Sequence, residues 1–314
     1  MRHGSLKIDL SVLLTVVVVS LCSLVIPEPM ENIKYYILGA TMLLIGIPHG
    51  AIDHIVSSRI YKLDNTLFDQ LKFYIPYLLL MLFMTLIWIF SSLVGFILFA
   101  IITIYHFGQA DLEHLDFKRN IKPIIIISRG LMILSLIIFS EMNYTFPIIE
   151  AATALQIPDN NWMSSNGFEF GIFLALQHPV LLLATSFQSV KNRSNSRWYM
   201  ILDSFLIILI FLLNDPIIGF SLYFALWHSM GHVLEMKKFF NKLGESFSLI
   251  KFYKLAIPFT IISLAGLWLV YKINQAFGIE EQMVALLFIL ISVLTLPHVL
   301  VVQKMLNVKA GSVD

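Results

Sequence analysis

The feature that most constrains this chain is a succession of long apolar runs that carry almost no charge. They fall near 8–26, 34–58, 73–92, 95–115, 123–141, 168–187, 198–213, 217–236, 253–273 and 283–303. As helices, runs of this kind cross about 30 Å of hydrocarbon. Of the 314 residues, 58% are hydrophobic and 13% charged, with a mean hydropathy of +0.83. An ordinary soluble domain is about 25% charged, and a soluble fold of this length could not hide so much apolar side chain. The expected fold class is therefore all-α: a polytopic membrane helix bundle of about ten transmembrane helices.

The first run could be mistaken for a signal peptide. It is long for that role, and no small-residue cleavage site follows it, so it reads as the first span. No low-complexity linker or sustained charge run divides the rest, and residues 1–314 read as a single integral-membrane domain.

The Lys/Arg distribution sets an expected orientation. With Arg2 and Lys7 cytoplasmic, the cytoplasmic connections carry Arg59, Lys62 and Lys72; Lys118, Arg119 and Lys122; Lys191, Arg193 and Arg197; Lys237, Lys238, Lys242, Lys251 and Lys254; and, in the tail, Lys304 and Lys309. The outer connections carry Glu28, Glu31, Glu150, Asp159, Asp215, Glu280 and Glu281. Lys34 and Lys272 flank the outer side, where they can snorkel. Arg129 lies inside the fifth span, towards its cytoplasmic end. This is a positive-inside pattern. It places both termini in the cytoplasm and predicts a multi-pass protein of the cell inner membrane. The longest outer connection, 142–167, holds prolines and Trp162 and reads as a loop or a short interfacial helix.

Net charge is +1, so nothing invites nucleic acid. The single cysteine, Cys22, excludes an intrachain disulfide framework and any Cys-based metal site.

Polar groups are scarce enough that their positions carry information. There are nine histidines. Apart from His3, they fall on even-numbered spans: His49 and His54, His106 and His114, His178, His228 and His232, and His298. Those spans run the same way, and most of these imidazoles sit in the cytoplasmic half. Ionisable groups inside a bilayer are costly and mark function by default. Several imidazoles at one depth suit a metal, since neutral imidazole is a ligand for Fe, Zn, Cu and Ni. For any one histidine taken alone, an interhelical hydrogen bond explains its presence as well.

The sharpest local signal is WHSMGH, residues 227–232. On an α-helix His228 and His232, at i and i+4, share a face and can chelate one ion. In GIPHGAIDH, residues 46–54, His49 and Asp53 are also i and i+4, whereas His49 and His54, at i and i+5, stand about 140° apart on a straight helix and cannot both bind one ion, so His54 is expected nearer the cytoplasmic interface. His49 is the candidate ligand. Asp53 is the candidate acceptor that orients an imidazole, or a polar partner for a neighbouring helix. Pro48 kinks the segment, and Gly46 and Gly50 allow close approach. In IYHFGQAD, residues 104–111, His106 is deep enough to be a ligand; Gln109 and Asp111 follow towards the interface, and His114 reads as a boundary residue. His178 and His298 each sit beside a proline and are candidates for orienting groups or for the cavity wall. A ligand set of His49, His106, His228 and His232 contains no carboxylate and leaves positions open on an octahedral ion. That suits an Fe(II) oxygenase better than a structural zinc.

Taken together, GIPHGAIDH, YHFGQAD, WHSMGH and LPH resemble the Brp/Blh family of membrane β-carotene 15,15'-dioxygenases, over essentially the whole chain. The resemblance implies cleavage of the central double bond of β-carotene with O2, giving two molecules of retinal. It implies dependence on iron, with catalysis through ligands at His49 in PHG, His106 in YHFG, and His228 and His232 in WHxxxH. It implies that the retinal serves a microbial rhodopsin. A wholly apolar polyene dissolved in membrane lipid can enter such a protein sideways between helices. Tyr105, Phe107 and Trp227 each neighbour a proposed ligand and are the candidates for the cavity wall.

Two other readings use the same histidines. A di-iron desaturase typically carries adjacent histidine pairs, and this chain has no HH. A proton- or metal-coupled transporter also uses buried His and Asp on helices broken by Pro and Gly. A retinal-binding opsin would need a lysine in mid-membrane, and no span holds one.

Overall fold

Hydrocarbon leaves the backbone no outside partner, so each apolar run satisfies its own N–H and C=O groups by coiling into a helix. The computed structural model describes residues 10–64, 66–112, 117, 120–157, 161–185, 194–276 and 283–308. Expectations for Arg2, His3, Lys7, His114, Lys118, Arg119, Asp159, Lys191, Arg193, Glu280, Glu281 and Lys309, and for the side chains of Trp162 and Arg197, lie outside the described residues.

Every regular element among the described residues is helical. In order these are α1 (Leu10–Val25), α2 (Pro27–Thr41), a π-helical turn (Met42–Gly46), α3 (Asp53–Ile60), α4 (Leu67–Phe90), α5 (Ser92–Leu112), α6 (Lys122–Phe139), α7 (Met142–Thr153), α8 (Asn161–Thr185), α9 (Ser194–Leu213), α10 (Pro216–Leu222), a second π-helical segment (Tyr223–Ser229), α11 (Met230–Lys242), α12 (Leu249–Ala276) and α13 (Met283–Asn307). Seven stretches among the described residues are long and apolar enough to cross a membrane, the run Pro216–Lys242 counting as one. The expected first and seventh spans appear as shorter apolar helices, Ser11–Val25 and Trp198–Leu213.

The expected second span, 34–58, is not one kinked helix. It consists of α2, a π-helical turn, a run of turns over 47–52, and the short α3. Pro48 has no N–H to give a helix, and the glycines on either side tolerate the turn. The connections near 92/95 and 213/217 are as short as the sequence suggests. Ser91 alone, in extended conformation, separates α4 from α5. Asp215 caps α10, its side chain accepting the Ile217 N–H at 2.8 Å with Pro216 in the first turn. The 142–167 connection contains the helix α7.

Two compact units share the chain. The first takes in Met1–Thr41, Thr103–Phe146 and Ile157–His228. Within it α6 packs on α8 and α9, and α10 packs on α2. Its apolar clusters join Leu112, Ile125, Leu182, Met200 and Ile201, and Val16, Met30, Ile210, Ile218 and Leu222. Lys34 does not snorkel here: it is buried, paired with Asp215 at 3.0 Å and with Glu31 at 2.5 Å. The Asp215 carboxylate that caps α10 supplies the counter-charge that makes burial tolerable. The second unit takes in Met42–Ile102, Pro147–Gln156 and Ser229–Asp314. There α13 packs against α3, α4, α11 and α12.

Candidate metal centre

In the second unit, the turns after the π-helical Met42–Gly46 present His49 to the interior. The His49 amide bonds the Ile45 carbonyl at 3.0 Å, and the Asp53 amide bonds Gly50 at 3.3 Å, which starts α3. His49, Asp53, His232 and His298 are all buried. The His49 ring stands 5.7 Å from His232 and 5.1 Å from His298, and His232 stands 5.1 Å from His298; each pair meets edge to face. One ligating atom from each of Asp53, His232 and His298 lies within 4.8 Å of the other two.

Hydrogen bonds to Nδ1 decide what two of these imidazoles offer. His49 Nδ1 bonds the Gly46 carbonyl, which can only accept, so Nδ1 carries the proton and Nε2 the lone pair. His298 Nδ1 bonds both oxygens of Asp53, at 3.1 and 2.9 Å. Asp53 also accepts from the Tyr77 hydroxyl at 3.0 Å. Metal-ligating histidines are commonly held in this way, the second ring nitrogen donating to a carbonyl or carboxylate. The chemistry of the donor set therefore fits a divalent transition metal.

His54, two residues after Ile52, packs instead against Phe259 at 4.4 Å and stacks on Tyr74 at 6.2 Å.

In the first unit, His106 on α5 and His228 on the second π-helical segment lie 4.9 Å apart, edge to face. Phe107 packs on His228 at 4.7 Å, and Phe224 stacks on it at 5.1 Å. The Gln109 amide reaches the Tyr105 hydroxyl at 3.3 Å. The helices α5 and α6 cross backbone to backbone: a Cβ on Gly108 would lie 1.8 Å from the Ile126 carbonyl oxygen, and one on Gly130 would lie 1.7 Å from that of Ile104. Only glycine at both positions permits this approach. His228 lies in the π-helical segment Tyr223–Ser229 and His232 in the first turn of α11. Such π-helical segments recur at functional sites.

Beside the crossing lies a cluster the sequence reading missed. Arg129 gives Nε to Asp111 at 2.9 Å, Nη2 to Asp203 at 2.6 Å and Nη1 to the Ser204 hydroxyl at 3.0 Å. Asp203 also accepts the Trp227 indole N–H at 2.7 Å. Arg129 and Asp111 are thus partners in a buried ion network, not groups drifting towards the interface. A signal existed: Arg129 and Asp203 both stand inside apolar runs, where charges pair. His178 bonds the Ser128 hydroxyl through Nδ1 at 2.6 Å, and Gln177 beside it bonds the Ser128 carbonyl at 2.6 Å. Ring contacts thus join His49, His232 and His298, with Asp53 bonded to His298; a ring contact joins His106 and His228; and His178 bonds Ser128 across the α6–α8 contact.

The fold and these buried imidazoles define a class: a polytopic helical membrane protein with a group of buried His and Asp side chains in its interior that could hold a metal ion. The particular family follows from comparison with known proteins. The family model described as Beta-carotene 15,15'-dioxygenase matches residues 40–306, and the chain belongs to that family. It is 27% identical over 297 residues to the Halobacterium salinarum protein named "Probable beta-carotene 15,15'-dioxygenase Blh", covering 87% of this chain and 84% of that one. It is 25% identical over 273 residues to the "Beta-carotene 15,15'-dioxygenase" of uncultured marine bacterium 66A03, covering 84% of this chain and 91% of that one. No solved structure matches the chain.

Proposed function

We propose that this chain cleaves the central 15,15' double bond of β-carotene with O2 to give two molecules of retinal, and that it depends on Fe(II). The observation that carries the reading is family membership over residues 40–306 together with buried imidazoles whose Nδ1 atoms are tied to oxygen acceptors. The reaction balances with one carotene and one dioxygen, the broken carbon–carbon double bond being replaced by two aldehydes. The iron ligands are His49, His106, His228 and His232. Iron supplies the redox access to O2 that no side chain of this protein has.

The chain's own residues do the rest. Burial of the histidines keeps bulk water away from the reacting bond. Tyr105, Phe107 and Trp227 form part of the wall that holds the polyene; Phe107 lies against His228, and Trp227 is fixed by Asp203. The apolar helices let β-carotene enter from the lipid. The protein lies in the cell inner membrane with both termini in the cytoplasm, and its retinal supplies a microbial rhodopsin.

The test is expression in bacteria that make β-carotene, followed by extraction of retinoids, with His228→Ala matched for membrane expression as control. Retinal should rise as carotene falls, and should vanish in the variant. Carotene left untouched by folded, iron-loaded protein overturns the reading and turns attention to transport.

A further inference from the structure

We propose that His298 is itself a metal ligand, sharing one ion with His49 and His232, and that Asp53 is the positioning residue that holds it. The inference rests on the metal-dependent reading above and adds to it a ligand from α13.

Three observations converge on this role. The first is spacing. A metal–nitrogen bond of about 2.1 Å puts a ligating imidazole's ring centre about 3.2 Å from the ion, so two such rings at 90–120° stand roughly 4.5–5.5 Å apart. The three pairs among His49, His232 and His298 stand at 5.7, 5.1 and 5.1 Å, close to that range.

The second is the tautomer. Asp53 is a carboxylate held by two donors, the Tyr77 hydroxyl and His298 Nδ1. The proton on His298 then sits on Nδ1, and Nε2 becomes the ligating nitrogen. His49 reaches the same state through the Gly46 carbonyl. The third is contact. A Cβ on Gly50 would lie 3.5 Å from His298 Nδ1, at ordinary van der Waals distance, so the turn that carries His49 also packs against His298.

Co(II) is the probe, because its d–d absorption reports the ligand set without any turnover. The full-length protein in detergent is stripped of metal and titrated with Co(II) against a competing chelator. His298→Gly should bind at least about tenfold more weakly than wild type, with a changed band, and added imidazole should restore the band. Asp53→Asn, which keeps the shape and loses the charge, should weaken binding by about tenfold. His298→Gln can still donate to Asp53 but offers no ring nitrogen; it stands in if the glycine variant does not fold, and should show the same loss. Wild type that binds Co(II), with His298 variants unchanged in affinity and spectrum, overturns the ligand role while leaving the metal reading intact. Wild type that binds neither Co(II) nor Fe(II) overturns both.

Discussion

Replacing Arg129 by methionine should be among the most destabilising single changes this protein can suffer. The Arg129 side chain is 1% exposed, and its partners Asp111 and Asp203 are 5% and 2% exposed. The guanidinium serves two carboxylates and a hydroxyl at 2.6–3.0 Å. Without it, two like charges stay buried: Asp111 loses its cation, and Asp203 keeps the Trp227 indole among the described residues. Removing one partner of a buried ion pair costs about 3–5 kcal/mol, and the shared counter-charge puts this site towards the upper end. Neutralising the whole network behaves differently, because the desolvation penalty goes with the charges. Arg129→Met combined with Asp111→Asn and Asp203→Asn should recover more than half of the loss. The assay is reversible unfolding in mixed micelles, followed by helix content for wild type, the single variant and the triple variant. A single variant within about 1 kcal/mol of wild type, or a triple variant worse than the single, would refute the argument that the network holds uncompensated charge.

Two further outcomes follow from the same structure. Gly108→Ala and Gly130→Ala each drive a methyl into a facing carbonyl and should cost about 1–3 kcal/mol or more, while Gly266→Ala, with nothing within 4 Å, should be neutral or stabilising by about 0.5–1 kcal/mol; thermal unfolding of the three variants checks the contrast. If the buried imidazoles hold a metal, chelation should lower the unfolding midpoint, and metal at about 100 times its Kd should return about 2.7 kcal/mol; a midpoint indifferent to chelator and to re-added Fe(II) sinks that linkage.

What the sequence determines is whatever depends on local composition. Apolar runs must be helices in lipid, so the all-helical membrane class follows from the runs alone. The scarcity of ionisable groups in those runs made His49, His106, His228, His232 and His298 visible as candidates without any coordinates. The proline and glycines of GIPHGAIDH announced a disturbed helix, though periodicity treats a kink and a full break alike, and only the structure shows turns over 47–52.

Partnership across the chain was decided by tertiary structure alone. Asp53 and His298 are 245 residues apart, and Arg129 and Asp203 are 74 apart. No helical period links such positions, so the sequence could say that Asp53 was placed to orient some imidazole but not which one. The same limit hid which imidazole rings meet: His49 with His232 and His298, and His106 with His228. An i, i+4 count assumes α-helical geometry, and the segment Tyr223–Ser229, which carries His228, is π-helical instead. The Gly108–Gly130 crossing sets how closely α5 meets α6, because helix–helix contact in lipid is settled by shape and hydrogen bonding between distant segments.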